Sequence, residues 1–374
     1  MDTGEFTATP AGQQRKMLQK AARSKGLTYV SDLDAGLRRH AHGKHFTYTD
    51  QRGRVITSAR VLGRIRRLAI PPAYHDVWIC PDPRGHIQAT GVDARGRKQY
   101  RYHAEWRAVR DAKKFDRMVQ FGSRLPALRR RLRADLALPG LPLPKVIATM
   151  VSLLQVTLVR VGNREYARAN RSYGLTTLRN HHVRHLPHER MKIQFRGKSG
   201  QMQSVELRDR RLARLVRRCQ ELPGQELFQY LDEAGEPHKV HSGMINDYLR
   251  DAMGLLADGT GFTAKDFRTW GGTLHALRLI SVLAPPASQA EEKRAMLEVC
   301  RGVARRLGNT PAVCRQSYIH PWVFEAWQQK RLPPRKDRSS ASSEMERYVL
   351  RVLKRQRRAR PAREVPVQRQ NGTQ

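Results

Sequence analysis

The stretch that decides the local fold reads Leu307-Gly308-Asn309-Thr310-Pro311-Ala312-Val313-Cys314-Arg315-Gln316-Ser317-Tyr318. Gly308 is a C-terminal stop for the helical pattern before it, and Thr310-Pro311 provides the cap and first turn of a short helix carrying Tyr318. A free phenol has a pKa of about 10, so its attack on a phosphodiester needs positive groups that favour the anion. Tyr318 is therefore a candidate nucleophile toward phosphate.

The charge of the chain supplies such groups in excess. Its 374 residues include 71 Lys+Arg against 33 Asp+Glu, a formal net charge of +38. Cationic side chains spread over a whole chain attract polyanions at long range. An anionic membrane is the competing polyanion, but the sequence has neither a long apolar run nor the order of a signal peptide. We expect an intracellular protein that binds nucleic acid and no membrane.

Metal and cofactor motifs are missing from the sequence. The four cysteines are widely spaced without a Cys-x-x-Cys pair, and the histidines between His181 and His188 lack zinc-site spacing, which favours a surface or DNA-facing loop. Acidic residues are too scattered for a two-metal nuclease. Gly197-Lys198-Ser199 resembles the end of a phosphate-binding loop, but Lys192 stands where that motif needs glycine. We expect no metal and no cofactor.

Composition divides the chain into four segments. Residues 1–24 are predicted to form a flexible tail, and residues 25–107 a strand-rich DNA-binding domain in which short apolar runs alternate with turns. Residues 108–331 are mainly helical, and residues 332–374 form a basic tail predicted to be disordered. Within it, the apolar spacing of Met345–Leu353 allows a short basic helix formed on DNA. The fold class is therefore α+β, with a small strand-rich N-terminal domain and a larger, mainly α-helical catalytic domain.

Several cationic or donor side chains occupy defined places in the second domain. Alternating residues on both sides of Arg196–Gly200 predict a β-hairpin with Lys198 at its tip. Arg160 follows an apolar helical stretch that begins near Lys145. Arg268 lies in the block Lys265-Asp266-Phe267-Arg268-Thr269-Trp270-Gly271, and Asn309 precedes Tyr318. Taken singly, each of these residues is typical of a surface charge or cap.

Five ordered blocks together resemble the poxvirus-like type IB DNA topoisomerases found in many bacteria. The resemblance extends from about Leu27 to Trp327, and its blocks are Gly91–Tyr102, Val159–Tyr166, Gly174–Leu178, Lys265–Gly271 and Gly308–Tyr318. It implies two domains that close around double-stranded DNA like a clamp, in a monomer that is cytoplasmic and nucleoid-associated. It also implies transient cleavage of one strand through a 3'-phosphotyrosyl link, followed by religation, without ATP or metal.

The resemblance assigns catalytic roles to five side chains, Tyr318, Arg160, Arg268, Lys198 and Asn309, and a supporting role to Lys265. Tyr318 would be the nucleophile. Arg160 and Arg268 would bind the non-bridging phosphate oxygens, which suits their planar guanidinium groups. Lys198 would protonate the leaving 5'-oxygen, and Lys265 would support the site. The viral members carry histidine where this chain has Asn309, whose amide can still donate a hydrogen bond to phosphate but cannot become charged.

In the N-terminal domain, the block around Gly96 is the candidate DNA-reading segment. Three of its positions match residues that touch the major groove in the viral enzymes, namely Gln99, Tyr100 and Tyr102. Phosphate contacts are expected from Arg95, Arg97 and Lys98. For each residue alone, a charged turn followed by a strand with tyrosines on one face explains the pattern equally well.

Two other classes of protein remain open at this point. Tyrosine recombinases share the Arg, Lys, Arg, Tyr chemistry, but they usually carry histidine at the position of Lys265 and a helical N-terminal domain. A non-catalytic, basic DNA-binding protein would account for the charge but not for the order of the blocks. Plasmid relaxation, strand exchange between specific sites, or binding alone distinguishes the three.

Overall fold

The computed structural model describes residues 18–43, 45–94, 96–256, 259–332 and 342–359. The chain divides into two compact units, Met1–Lys114 and Phe115–Gln374. Strands predominate in the first unit and helices in the larger second unit, which confirms the prediction of a mixed α+β fold with a strand-rich N-terminal part. None of the described helices is both long and apolar enough to cross a bilayer.

The first unit is built on a five-stranded antiparallel sheet with the strand order β2-β1-β3-β4-β5. Its strands are β1 (Leu37–His42), β2 (His45–Thr49), β3 (His75–Ile79), β4 (Ile87–Val92) and β5 (Lys98–Tyr102). Helix α1 (Ala59–Arg67) buries Ile65 against Leu37, Val77, Ile79 and Ala89 of the sheet. The strand β5 lies at one edge of the sheet and carries the candidate DNA-reading residues.

The prediction of a flexible tail over residues 1–24 is wrong for its described part. Residues 18–23 are helical, and Ala22 is fully buried in a small cluster with Leu27 and Trp106. The weak polar pattern of this segment hid a contact that depends on residues distant in sequence. Residues 1–17 lie outside the described residues.

The second unit packs its helices around one buried helix, α3. The helices are α2 (Ala104–Ala137, which begins before the division between the units), α3 (Leu143–Thr157), α4 (Arg164–Asn170), α5 (Arg210–Gln220), α6 (Ser242–Met253), α7 (Ala264–Ile280), α8 (Gln289–Leu307), α9 (Pro311–Ser317), α10 (Trp322–Gln328) and α11 (Ser342–Ala359). The sequence predicted one buried face for α3, and burial extends beyond that face to ten of its fifteen residues. An apolar helix of this kind is typical of the centre of a domain.

A three-stranded antiparallel sheet, with the order β6-β7-β8, extends the helical unit. Its strands are β6 (Val183–Leu186), β7 (Arg190–Arg196) and β8 (Met202–Arg208). The predicted hairpin is confirmed as β7 and β8, which pair from Arg190↔Arg208 to Arg196↔Met202. The third strand, β6, was not predicted because it lies in the histidine-rich run. Strands β9 (Gln229–Leu231) and β10 (Pro237–Lys239) form a separate pair.

Helix α11 differs from the predicted disordered tail over residues 342–359, the part of residues 333–374 that the structure describes, and includes the stretch for which the sequence allowed a helix formed on DNA. Met345, Val349 and Leu353 recur every fourth residue along it and are almost completely buried in the main core. The guanidinium of Arg129 also donates two hydrogen bonds of 2.8 Å to the carboxylate of Glu346. Three anchored apolar side chains thus outweigh the charge of the segment, which dominated the prediction. Residues 333–341 and 360–374 lie outside the described residues.

Candidate active site

Arg160 lies in the connection between α3 and α4, which is held by backbone contacts. The amide of Leu175 donates to the carbonyl oxygen of Arg160 at 2.9 Å. Gly162 has φ +98°, and a Cβ atom there would lie 3.0 Å from the Cα atom of Gly174. Only glycine combines this conformation with so close an approach. Two sequence blocks, Val159–Tyr166 and Gly174–Leu178, therefore meet to position Arg160.

The guanidinium of Arg160 points toward the loop before helix α9. It is half-buried and donates to the carbonyl oxygen of Gly308 at 3.2 Å and to Oδ1 of Asn309. Burial, and then the nearby charge of Arg268, lower the pKa of Arg160. The amide nitrogen Nδ2 of Asn309 is buried without a hydrogen-bond partner among the described residues. Asn309 thus accepts from an arginine and keeps its donor end uncommitted.

Arg268 is the most unusual charge in the unit, because its side chain is only 4% exposed. It lies in the second turn of α7, and its two terminal nitrogens donate to the carbonyl oxygens of Leu158 and, at 2.9 Å, Leu307. Its Nε has no partner among the described residues. Neither Arg268 nor Arg160 forms an ion pair with a described acidic residue. Buried charges are normally paired, so this arrangement suits an anion that comes from outside the chain.

Tyr318 follows helix α9 directly and faces Arg268. Its amide donates to the carbonyl oxygen of Cys314 at 2.9 Å, and its own carbonyl oxygen accepts from the hydroxyl of Thr273 on α7 at 3.2 Å. The Cζ atom of Arg268 lies 5.1 Å from the centroid of the Tyr318 ring. The predicted helix stop at Gly308 and cap at Thr310 are confirmed, since Thr310 accepts from the amide of Val313. The cap and the Thr273 contact hold the phenol beside the buried arginine.

Burial and nearby positive charges shift the pKa of Tyr318 in opposite directions. Burial alone raises the pKa of the phenol, but the charge and hydrogen bond of Arg268, and then the charges of Arg160 and Lys265, lower it. The net shift in pKa is downward. Lys265 is an exposed residue in the first turn of α7 and contributes through its charge. The surroundings therefore favour the phenolate, which is the reactive form of a tyrosine nucleophile.

Lys198 is an exposed residue in the turn of the hairpin, within the short 3-10 helix Lys198–Gly200. The returning strand β8 brings the Gln203 side chain against Gly308, where a Cβ atom would overlap the Gln203 amide. Gly308 has φ +58°, so glycine meets both requirements at this position. A cavity of about 390 Å³ lies between the start of β8 and the loop containing Asn309. The hairpin thus adjoins the loop that carries Asn309.

The candidate DNA-reading residues of the first unit differ in what they contact. Arg97 and Gln99 donate to the carboxylate of Asp93, at 2.8 and 2.9 Å, and Lys98 forms an ion pair with Asp32. These acidic partners fix the turn before β5. The side chains of Arg97, Lys98 and Gln99 are therefore already bonded to acidic residues of the first unit.

The two tyrosines of β5 form a different kind of surface. The Tyr100 and Tyr102 rings stack with centroids 5.8 Å apart, as expected for alternate residues on one face of a strand. Tyr100 is 42% exposed, whereas Tyr102 packs partly against the cluster of Ala22 and Trp106. Arg95 lies outside the described residues.

Other sequence motifs have structural roles. His182 is buried rather than on the surface, accepts a hydrogen bond of 2.9 Å from the amide of Arg179, and packs against Tyr173. Burial, and then the charges of His181 and Arg179, lower its pKa to about 4. Within the described ranges, no group of three or more His, Cys, Asp or Glu residues is placed to hold a metal ion.

The sequence did not reveal several parts of the site. The carbonyl oxygens of Leu158, Leu307 and Gly308 accept from the two arginines. Leu158 also adopts the left-handed conformation with φ 58°, for which a leucine gives no signal. Backbone acceptors of this kind can be found only from the fold.

Comparisons with known proteins match most of the chain to DNA topoisomerases. Residues 103–345 match the family described as eukaryotic DNA topoisomerase I, catalytic core, and this region includes all five candidate catalytic residues. Residues 45–93 match the family described as bacterial DNA topoisomerase IB, N-terminal domain. A protein of Acanthamoeba polyphaga mimivirus, DNA topoisomerase 1B, is 32% identical over 303 residues, which cover 79% of this chain and 88% of that protein.

These matches identify a class of enzyme, the type I DNA topoisomerases. More narrowly, the chain belongs to the type IB DNA topoisomerase family, in agreement with the resemblance found in its five sequence blocks.

Proposed function

We propose that this enzyme relaxes supercoiled duplex DNA by cutting and rejoining one strand, with Tyr318 as the nucleophile. The observation that supports this assignment best is the buried guanidinium of Arg268, which faces the phenol and forms no ion pair with a described carboxylate. A backbone phosphate between Arg268 and Arg160 supplies the missing negative charge. The same two cations then stabilise the additional charge that develops on phosphorus in the transition state.

The proposed reaction is a transesterification in which bonds and protons balance. The Tyr318 oxygen attacks phosphorus, its bond to phosphorus forms, and the bond from phosphorus to the 5'-oxygen breaks. The phenol loses a proton, and Lys198 donates one to the departing 5'-oxygen, assisted by Arg160. The products are a 3'-phosphotyrosyl link and a free 5'-hydroxyl. The reverse reaction rejoins the strand, and the energy retained in the link makes ATP and metal unnecessary.

The remaining polar groups have supporting roles. Asn309 is held by Arg160 at its Oδ1 atom, so its unpartnered Nδ2 donates to a non-bridging phosphate oxygen. This position then functions without a charge of its own. Lys265 assists through its charge, which already lowers the pKa of Tyr318.

On a larger scale, we propose that the two units close around the duplex as a clamp and that the enzyme acts as a monomer on nucleoid DNA in the cytoplasm. Tyr100 is the most exposed aromatic candidate for contact with base edges. Arg97, Lys98 and Gln99 would exchange some of their bonds to Asp93 and Asp32 for DNA contacts. Arg95 would bind phosphate in the same segment.

Relaxation of a supercoiled plasmid in the presence of a chelator and without ATP tests this function. The wild-type protein should relax the plasmid, because the chemistry uses only side chains, whereas Tyr318→Phe should not. The matched control is Tyr230→Phe, which removes the same hydroxyl from a tyrosine of β9 outside the site. Relaxation by Tyr318→Phe at the wild-type rate would contradict the assignment.

A further inference from the structure

A second cavity of about 600 Å³ lies inside the helical unit, on the opposite side of α7 from its Thr273 contact with Tyr318. Its walls come from α2, α3, the start of α5, α7, α8 and α11. The volume falls in the range typical of sites for small molecules, about 300–1,000 Å³. None of the five candidate catalytic residues lines it.

The cavity combines apolar walls with a marked excess of positive charge. Apolar side chains from α2, α3 and α7 provide much of the surface, including Leu125, Leu132, Val156, Phe267 and Leu274. Five arginines line the same space, namely Arg129, Arg133, Arg211, Arg278 and Arg306. Only two acidic residues accompany them, Asp209 and Glu346.

Both acidic residues are already engaged. Asp209 caps helix α5 by accepting from the amide of Leu212 at 2.9 Å. Glu346 accepts two hydrogen bonds of 2.8 Å from Arg129. The other four arginines therefore have no carboxylate partner among the described residues of the cavity wall.

Arg278 is the central cation of this group. Its Nε atom is buried without a partner among the described residues, and so is Nε1 of Trp270, about two helical turns before it on α7. Burial, and then the charge of Arg278, lower the pKa of the neighbouring Arg306. Arg306, an exposed residue of the same wall, donates to the carbonyl oxygen of Val156 at 2.6 Å. Neither Arg278 nor Arg306 has a described counter-ion, an arrangement that an anion would stabilise.

We infer that this cavity is a binding site for a small anion that carries an apolar ring, such as an aromatic phosphate, sulfonate or carboxylate. The ring occupies the space between the leucines and Phe267, and the acid group lies against Arg278 and Arg306. The indole of Trp270 provides an aromatic neighbour. The site is separate from the proposed phosphate site at Tyr318, so its existence does not depend on the proposed function.

The test uses a matched pair of probes on the full chain without DNA. One probe is 1-anilinonaphthalene-8-sulfonate, and the other is N-phenyl-1-naphthylamine, which has the same rings but no sulfonate. Titration is followed by calorimetry at one fixed salt concentration, so that both probes are compared under the same screening of charge. We expect one saturable site for the sulfonate and binding at least about tenfold weaker for the neutral amine.

Three variants locate the site. Arg278→Gln should weaken binding of the sulfonate by about tenfold or more, because it removes a charged hydrogen bond. Arg211→Gln changes an exposed arginine that lines the same cavity, and it should also weaken binding of the sulfonate. This variant keeps the inference testable if Arg278→Gln does not fold. Arg351→Gln changes an exposed arginine of α11 that does not line the cavity and should bind as wild type.

Equal affinity of wild type, Arg278→Gln and Arg211→Gln would overturn the inference. So would the absence of a saturable site, or equal binding of the neutral probe, since the cationic lining would then have no role. Plasmid relaxation by Arg278→Gln, measured in parallel, separates failure of this inference from failure of the proposed function.

Discussion

At the scale of single residues, the proposed reactivity of Tyr318 depends on a balance between burial and charge. The phenol is half-buried, which disfavours its ionisation, yet its pKa is lowered because Arg268, Arg160 and Lys265 supply positive charge. Arg268 matters most, since it both lies over the ring and donates to the phenol. The balance can be measured through the pH dependence of strand cleavage.

We predict that Arg268→Gln slows single-turnover cleavage by about a hundredfold or more and moves its rise to higher pH. In the wild type, cleavage increases as the phenol ionises and levels off below the pH range of an ordinary tyrosine. In the variant, burial still raises the pKa of Tyr318 while the largest opposing charge is gone, so the shift is upward. The measurement is the cleavage rate of a nicked duplex as a function of pH.

Lys265→Gln is the graded control for this experiment. It removes an exposed charge that makes a smaller contribution to the lowered pKa of Tyr318, so its profile should move in the same direction by less. A profile for Arg268→Gln that is unmoved or shifted to lower pH would contradict the proposed electrostatic role.

Candidate residues for the site could be chosen from the sequence, but the contacts of those residues could not be predicted. The order of the blocks singled out Arg160, Arg268 and Tyr318 before any geometry was known. The burial of Arg268 and its hydrogen bonds to the carbonyl oxygens of Leu158 and Leu307 depend on how three separate segments fold together. Backbone acceptors are present at every residue, so a sequence pattern does not identify them.

At the scale of elements, the β7–β8 hairpin is expected to carry the proton donor. We predict that Lys198→Ala slows cleavage of an ordinary phosphodiester by roughly 100-fold to 10,000-fold. A duplex in which sulfur replaces the bridging 5'-oxygen should be cleaved at nearly the wild-type rate. A thiol has a pKa of about 8.5, so it departs as the thiolate and needs no proton. Both rates are measured under single-turnover conditions.

The same hairpin offers a matched control. Lys192→Ala removes a lysine from strand β7, away from the turn, and should leave both cleavage rates near those of the wild type. Equal loss on the oxygen and sulfur substrates in Lys198→Ala would indicate that Lys198 positions DNA and does not donate the proton.

Helix α11 shows that part of the C-terminal segment packs into the core of the helical unit. We predict that Leu353→Ala lowers the free energy of unfolding of the helical unit by about 2–5 kcal/mol, because it leaves a cavity in the main core. Lys354→Ala, at the exposed neighbouring position, should change it by less than about 0.5 kcal/mol. Urea unfolding measures both. Equal stability of the two variants would contradict the packing of α11.

Elements were predictable where their signals are local. The hairpin, the stop at Gly308 and the cap at Thr310 follow from alternation, glycine and hydroxyl chemistry within a few residues. The apolar spacing of α11 allowed a helix formed on DNA, whereas its packing within the unit could not be predicted because it depends on a core distant in sequence. Strand β6 was missed because it is stabilised by its neighbour β7 more than by its own composition.

At the scale of the whole molecule, the net charge of +38 leads us to expect that DNA affinity depends little on any one catalytic side chain. Contacts to many phosphates contribute to affinity, so the loss of one hydroxyl has little effect on it. The composition predicted the polyanionic partner, and the ordered blocks predicted the family, which the comparisons show. How the two units approach DNA does not follow from composition, because the same charges could be distributed over many surfaces.

Covalent capture on a duplex whose cleaved 5' fragment can diffuse away tests the central claim most directly. The peptide that carries the nucleotide is identified by mass spectrometry, and the released strand is tested for its terminal group. The account predicts a link from Tyr318 to a 3'-phosphate, release of a 5'-hydroxyl end, and no capture by Tyr318→Phe, which should bind the same duplex within about twofold of wild type. A link to another residue, or a link to a 5'-phosphate, would contradict it.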